Sequence, residues 1–290
     1  MEIKITTSAH DGTRLGYRVL RSKQHHPVIV LIHGLASNLT RWSEFVDNTS
    51  LKPDWDLLRV DLRGHGTSMA RGSINRKEWT EDLSTVLNAE GYSEAVLVGH
   101  SLGAQVALLF AVKYPEKTRG LILIDPVFPT AISGTLGTAK RFRAVLWLLI
   151  RLIWLVNFFG LKRKRFPARD LRVLDEETRK VLASDPEADI AKLYMAPWKD
   201  LKYLPSANYL QDLFEVTRPL PLRLEDVKAP VLVLLSAGAS VSHGDTTQEH
   251  IARLPNGETV TIDANHWLLT ERPDEARHAI EKWCARLINK

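Results

Sequence analysis

A chain of 290 residues, 44% hydrophobic and 25% charged, has the composition of an ordinary globular protein, long enough to bury a core without disulfides or metals. Its single cysteine, Cys284, excludes an intrachain disulfide framework and a zinc–cysteine site. The formal charge of +5 leaves nucleic acid, membrane and acidic substrates open as partners until that charge is located.

Residues 1–11 are polar and lack the apolar segment of a secretory signal, which together with the lone cysteine favours a reducing, cytoplasmic setting. Short β-type runs then alternate with helical stretches. The apolar runs lie at 28–32, 57–60, 95–98, 121–124 and, much later, 231–235. Such runs, separated by helical patterns, predict parallel strands buried on both faces. Residues 77–89 and 104–114 read as helices, the second stopped by Pro115. Residues 274–287 read as a C-terminal amphipathic helix with Trp283 on its inner face. The predicted class is α/β, a mostly parallel central sheet with helices on both faces.

Residues 128–225 break the alternation: they hold helical patterns and no strand. They read as a helical lid inserted between two strands, leaving 1–127 and 226–290 as the core. The sharpest feature of the insertion is 144–159, AVLWLLIRLIWLVNFF, interrupted only by Arg151 and Asn157. A helix apolar nearly all round is buried or faces lipid. Spanning a bilayer takes about 20 apolar residues, and an arginine at the helix centre costs roughly 2.5–3.5 kcal/mol. The run is short and carries Arg151 near its middle, so a buried or interfacial helix is expected. Residues 140–172 hold ten Lys and Arg against one acid, Asp170, so this segment carries +9 and the rest of the chain −4. Basic clusters around an apolar helix suit peripheral contact with an anionic membrane. Nothing resembles a nucleic-acid module.

The strongest chemical signal is Gly99-His100-Ser101-Leu102-Gly103, a G-x-S-x-G pattern placed directly after an apolar run and directly before a helical one. A serine on a tight strand-to-helix turn projects its hydroxyl clear of the sheet, and the helix N-terminus supplies N–H groups for developing negative charge. With this motif the chain resembles the α/β-hydrolases. His33-Gly34-Leu35 follows the 28–32 run where that family places its oxyanion loop. Asp61-Leu62-Arg63-Gly64-His65-Gly66-Thr67-Ser68 matches the D-x-R-G-x-G-x-S turn, and Asn265-His266-Trp267 matches the segment of the catalytic histidine. The resemblance implies Ser101 as nucleophile, His266 as general base, and the backbone N–H groups of Leu35 and Leu102 as the oxyanion hole. Asp61, Arg63 and His65 are expected to hold a loop. His100 is expected to point away from the site, and His25, His26, His243, His250 and His278 lack any catalytic context.

The acid is harder to place. The family usually sets an Asp a few residues after the strand corresponding to 231–235, but here the chain continues Ser236-Ala237-Gly238-Ala239-Ser240-Val241. Asp245 comes ten residues beyond the run and reads, with Gln248, as a capping box. Asp125, at the end of the 121–124 run, is the favoured acid, with Asp245, a water-supported dyad or a further acid elsewhere in the chain as alternatives; strand ends are where sites of open α/β sheets assemble.

A serine nucleophile points to acyl chemistry, whereas epoxide hydrolases and haloalkane dehalogenases of the same superfamily use Asp there. The expected activity is hydrolysis of carboxylic esters through an acyl-enzyme, on apolar esters such as monoacylglycerols. Trp147, Trp154, Phe158 and Phe159 offer a surface for the acyl chain or merely pack the lid. A C–C bond hydrolase and a ligand receptor retaining the triad are the alternatives. No Gly-rich phosphate loop, H-E-x-x-H or EF-hand pattern is present, so neither cofactor nor metal is called for.

Overall fold

Eight strands hydrogen-bond into one sheet in the order β1-β2-β4-β3-β5-β6-β7-β8. They are β1 Ile3–Ser8, β2 Arg14–Leu20, β3 Val28–Ile32, β4 Asp56–Val60, β5 Ala95–His100, β6 Thr118–Ile124, β7 Val231–Ser236 and β8 Gly257–Ile262. β2 runs antiparallel to both its neighbours and every other pairing is parallel. The computed structural model describes residues 2–22, 27–185, 188–194, 196–238 and 242–288; His25, His26 and residues 239–241 of the segment after β7 lie outside them.

The central strands follow from their sequence. Every residue of β3, β4 and β5 is buried, and parity decides the face. Val28, Val30 and Ile32 pack into one core with Ala95, Leu97, Leu121 and Leu123. Ile29 and Leu31 pack into the other with Val96, Val98, Ile122 and Ile124. Helices cover both faces. α2 (Arg76–Glu90) and α3 (Leu102–Lys113) bring Trp79, Leu83, Val106 and Phe110 to the first core. α1 (Ser43–Asn48) and the C-terminal helix (Pro273–Ile288) bring Phe45, Ile280 and Trp283 to the second. Trp283 is inward, as its helical position requires.

Three strands escape the apolar-run criterion. β1, β2 and β8 lie toward the two ends of the sheet, and β1 and β8 are largely exposed. Edge strands bury at most one face, so their sequences carry polar residues that a search for continuous apolar runs passes over.

Between β6 and β7 the described residues form no strand of the sheet, and the helices there are α4 Gly134–Arg141, α5 Arg143–Phe158, α6 Leu171–Ser184, α7 Ala191–Tyr194, α8 Pro197–Asp200 and α9 Ser206–Thr217. After β7 come α10 (Gly244–Ile251), α11 (Leu268–Glu271) and the C-terminal helix, α12. The buried alternative for the apolar run is corrected here. In α5 only Ile150 is buried, while Val145, Leu148, Leu152 and Leu155 are half exposed or more. α5 packs against α9 along one side and turns the rest outward, because its sequence has no polar stripe to distinguish the two. Among the described residues no helix is long and apolar enough to cross a membrane.

Candidate active site

The site is built at the C-terminal ends of β3, β5, β6 and β8. β5 ends at His100 and α3 begins at Leu102, so Ser101 is the whole of the turn. Its φ of 56° is a left-handed value that residues with a Cβ avoid. The flanking glycines make this turn possible. A Cβ on Gly99 would stand 2.3 Å from the Gly103 carbonyl oxygen, and one on Gly103 would stand 2.5 Å from that of Ile32. The Ser101 N–H donates to the Ile124 carbonyl of the neighbouring strand at 2.9 Å.

Ser101, His266 and Asp125 lie in one hydrogen-bonded row. Ser101 Oγ donates to His266 Nε2 at 2.9 Å, and His266 Nδ1 donates to Asp125 Oδ2 at 2.5 Å. All three side chains are buried. His266 occupies the loop between β8 and α11, where Glu271 accepts the N–H groups of its two neighbours, Asn265 at 2.9 Å and Trp267 at 3.2 Å. Asp125 follows β6 directly. Its N–H donates to the Leu234 carbonyl at 2.8 Å, and its Oδ1 accepts from Ser236 N–H at 3.1 Å and Ser236 Oγ–H at 2.9 Å. Burial pushes the Asp125 carboxyl up, but the hydrogen bond and charge of His266, with the two bonds from Ser236, outweigh it and hold the group below the usual carboxylate range. Ser236, the last residue of β7, thus stands at the border of the region where the family usually has its acid, and serves Asp125 instead.

Asp245 is not in this row. It lies exposed in the first turn of α10. The capping-box reading is also corrected: α10 begins at Gly244 after His243, and no side chain caps it. His100 departs from expectation as well. Rather than pointing away, its ring lies 4.9 Å from that of His266, and Nε2 donates to the His266 carbonyl at 2.9 Å. Burial and the nearby His266 push its imidazole down to about 3, so His100 is a neutral prop behind the His266 loop.

Two backbone donors lie beside the serine. Among the described residues neither Leu35 N–H nor Leu102 N–H is used in a hydrogen bond. Leu102 is the first residue of α3, where the helix leaves its N–H groups unpaired. Leu35 follows Gly34, on which a Cβ would stand 3.4 Å from that of Ser101. The loop beneath is held by His33, whose Nδ1 donates to the Gly34 carbonyl at 2.8 Å while Nε2 accepts Leu62 N–H at 3.0 Å. Burial holds His33 well below its ordinary value, in keeping with that neutral form. The Asp61–Ser68 turn is structural: Asp61 accepts Leu39 and Thr67 N–H groups at 2.8 and 2.7 Å, and Arg63 makes a two-pronged bond to Asp82.

The row opens into a cleft of about 150 Å³. Leu136, Leu171, Leu213 and Val216, all from the segment between β6 and β7, line it together with Ser101 and His266. Trp147, Trp154, Phe158 and Phe159 do not line it; Phe158 and Phe159 are more than 70% exposed. One wall is polar. Arg41 pairs with Asp175, which also accepts Tyr194 Oη–H at 2.6 Å, and Arg169 pairs with Asp200 at 2.6 Å. These pairs join positions 31 to 134 residues apart, and no local motif announces them.

Comparison with known proteins agrees with this architecture. The family described as serine aminopeptidase, S33 matches residues 23–273. The chain is similar to epoxide hydrolase 3 of Xenopus tropicalis, at 24% identity over 95% of this chain and 78% of that one. It is also similar to an sn-1-specific diacylglycerol lipase of Mus musculus, at 22% identity over 93% and 85%. In structure it resembles a hydrolase from Pseudomonas aeruginosa, with a TM-score of 0.71, 19% identity and coverage of 97% and 98%. The antiparallel second strand, the strand order and the serine elbow, together with the match over most of its length, make this chain an α/β-hydrolase of the serine aminopeptidase, S33 family.

Proposed function

We propose that the protein is a serine hydrolase that cleaves carboxylic esters through an acyl-enzyme, with Ser101, His266 and Asp125 as its triad. One observation carries the reading: the elbow holds a serine whose Oγ donates at 2.9 Å to a histidine backed by a carboxylate. Similar folds with an epoxide-opening role use an aspartate at that position, and a hydroxyl activated by a histidine is suited to acyl transfer.

In the first half-reaction Ser101 Oγ attacks the ester carbonyl carbon and its proton passes to His266 Nε2. Asp125, ionised and fixed by Ser236, stabilises the imidazolium. The carbonyl oxygen, now negative, accepts the N–H groups of Leu35 and Leu102. Collapse breaks the bond to the alcohol oxygen, which leaves with the proton from His266. Water then attacks the acyl-enzyme, gives its proton to His266, and the acid departs as Ser101 regains its hydrogen.

Residues 128–225 act in this reading as a lid over the core, and their leucines make the cleft suit an apolar acyl group, as in a monoacylglycerol. The similarity to a diacylglycerol lipase is in keeping with that class. The outward apolar face of α5, set among basic residues, supports peripheral contact of a cytoplasmic protein with anionic membrane. Nucleic acid has no place in the reading, nor has a cofactor.

A fluorophosphonate probe and a series of p-nitrophenyl esters test it. Labelling of Ser101 and turnover rising with acyl length are expected. Folded protein that is not labelled would overturn the hydrolase reading in favour of a ligand receptor. Labelling without ester turnover would favour C–C bond hydrolysis. Preference for the shortest esters would keep an esterase and remove the lipid-like substrate.

A further inference from the structure

A set of buried polar contacts between the insertion and the strand-end loops has no part in the chemistry above. α9 presents Asn208, Gln211, Asp212 and Glu215, spaced i, i+3, i+4 and i+7 along one helical face, and all four are buried. Asp212 Oδ2 accepts the N–H of Ala36 at 3.1 Å and Nε2–H of His65 at 2.8 Å. On the other side of Ala36, Arg169 Nη1 donates to its carbonyl at 3.3 Å while bound to Asp200. Ala36 stands at φ 49°, a left-handed conformation that a residue with a Cβ adopts only under constraint. Apolar residues in place of a buried charge pair are often as good for folding or better, so stability alone gives no reason for these charged groups.

We propose that Asp212 and Arg169 are positioning residues for the oxyanion loop. By holding the N–H and the carbonyl of Ala36 they fix the adjoining Leu35 N–H, so that the hole is formed while the insertion is seated on the core. This rests on the reading of Leu35 and Leu102 as oxyanion donors. The two donors differ in what they need. Leu102 is set by the start of α3, whereas Leu35 lies outside regular structure. His33 holds the Gly34 carbonyl, which shares one planar peptide unit with the Leu35 N–H, and so ties that unit from its N-terminal end; from the C-terminal end the loop is tied through Ala36, and the insertion holds that residue.

The test uses the full chain with Asp212→Asn and Arg169→Met, singly and together, read by amide hydrogen exchange and by steady-state hydrolysis of p-nitrophenyl butyrate. Loss of one oxyanion donor lowers kcat by about 10²–10³-fold and a displaced donor by less. Each variant is therefore expected to lose about 10–100-fold in kcat with KM within about threefold. Exchange should rise in the loop around Ala36, and the double variant should be little worse than the poorer single one, because both act through one residue. Arg169→Lys, which keeps a donor for the carbonyl, should recover part of the loss. Unchanged loop exchange in both single variants overturns the clamp. Faster loop exchange with unchanged kcat overturns the positioning role, as does exchange rising uniformly through the chain. Loop exchange does not depend on turnover, so a wild-type chain that cleaves no ester counts against the hydrolase reading and leaves exchange to judge the clamp.

Discussion

β3 and α5 are both apolar along nearly their whole length, yet all five residues of β3 are buried while Ile150 alone is buried in α5. Their charged neighbours differ in the same way. In the core, Arg59, Arg63 and Arg76 lie buried and paired with Glu2, Asp82 and Glu215. In residues 140–172, Arg169 and Arg172 have carboxylate partners, and the other eight basic side chains form no ion pair among the described residues. Hydrophobic residues are driven inside only where another apolar surface receives them. Around α5 no such surface receives the outward residues, and Leu148, Leu152 and Leu155 stay more than half exposed. The sheet thus spends its apolar residues on stability, and α5 leaves its own available.

The largest expected effects separate the two regions by chemistry. Ser101→Ala should lower kcat for a soluble ester by about 10⁵–10⁶-fold and abolish fluorophosphonate labelling, while the melting temperature stays near that of the parent. Next, Asp125→Asn should cost about 10⁴-fold, and Asp245→Asn, on the exposed turn of α10, should leave kcat unchanged. Equal losses in the two Asn variants, measured in parallel, would remove Asp125 as the acid. Protonation gives an independent check. The folded-state Asp125 carboxyl is held below the ordinary value, so it contributes stability above about pH 4, the unfolded value, and loses it as pH falls through its own lower pKa. The stability gap between wild type and Asp125→Asn should therefore close in acid.

How much of this was legible in the chain follows from the same contrast. The five central strands could be read because burial on both faces demands unbroken apolar runs, and the elbow could be read because its glycines are a steric necessity at fixed spacing. Ser101, His266 and Asp125 were all within reach, since each sits at an element end marked by its own motif or run. Ser236 was visible only as the absence of an acid where one was expected. Asp212 was not visible at all: its partner Ala36 is 176 residues away, and an acid on an amphipathic helix normally signals the solvent face. For α5 the limit is physical. When a helix is apolar all round, periodicity cannot tell the face that packs from the face that does not.

Truncations of equal kind sharpen the comparison further. Trp283→Ala, deep in the core on α12, should destabilise by about 3–5 kcal/mol, and Leu152→Ala, half exposed on α5, should change stability by no more than about 0.5 kcal/mol. Chemical denaturation of both variants measures the contrast, and a loss of several kcal/mol at Leu152 would mean that α5 is a packed element of the fold. Smaller than the Trp283 effect is that of the pair that joins the regions. His65 donates from both ring nitrogens, to Asp212 at 2.8 Å and to the Arg63 carbonyl at 3.3 Å. Burial opposes its charge, yet Asp212 raises it above the ordinary value. The pair's stabilisation is thus complete below about pH 6.5 and is lost as pH rises through the folded pKa. Wild type should lose about 2–4 °C more in melting temperature on going to alkaline pH than His65→Gln does, about what 1 kcal/mol is worth in a large domain. Parallel pH profiles for the two would detach the pair from stability.

Effects of similarly small size are expected on the basic rim of α5, and they decide what its open face is for. Each Lys or Arg near an anionic surface contributes about 1 kcal/mol, so Lys162→Gln or Lys164→Gln should weaken binding to phosphatidylserine-containing vesicles by about fivefold each, and raising the salt should weaken the parent in the same direction. Leu148→Ser and Leu152→Ser together should reduce binding to neutral and anionic vesicles alike, because they remove apolar area rather than charge. None of these changes touches the cleft, so hydrolysis of a dissolved short ester should be unaltered, while hydrolysis of the same acyl group presented in vesicles should fall with binding. A second copy of the chain is a poor occupant for the face, since it would bring the same unpaired cations against each other. Concentration-dependent self-association at low salt, with no vesicle binding, would nevertheless assign α5 to a dimer and not to a membrane.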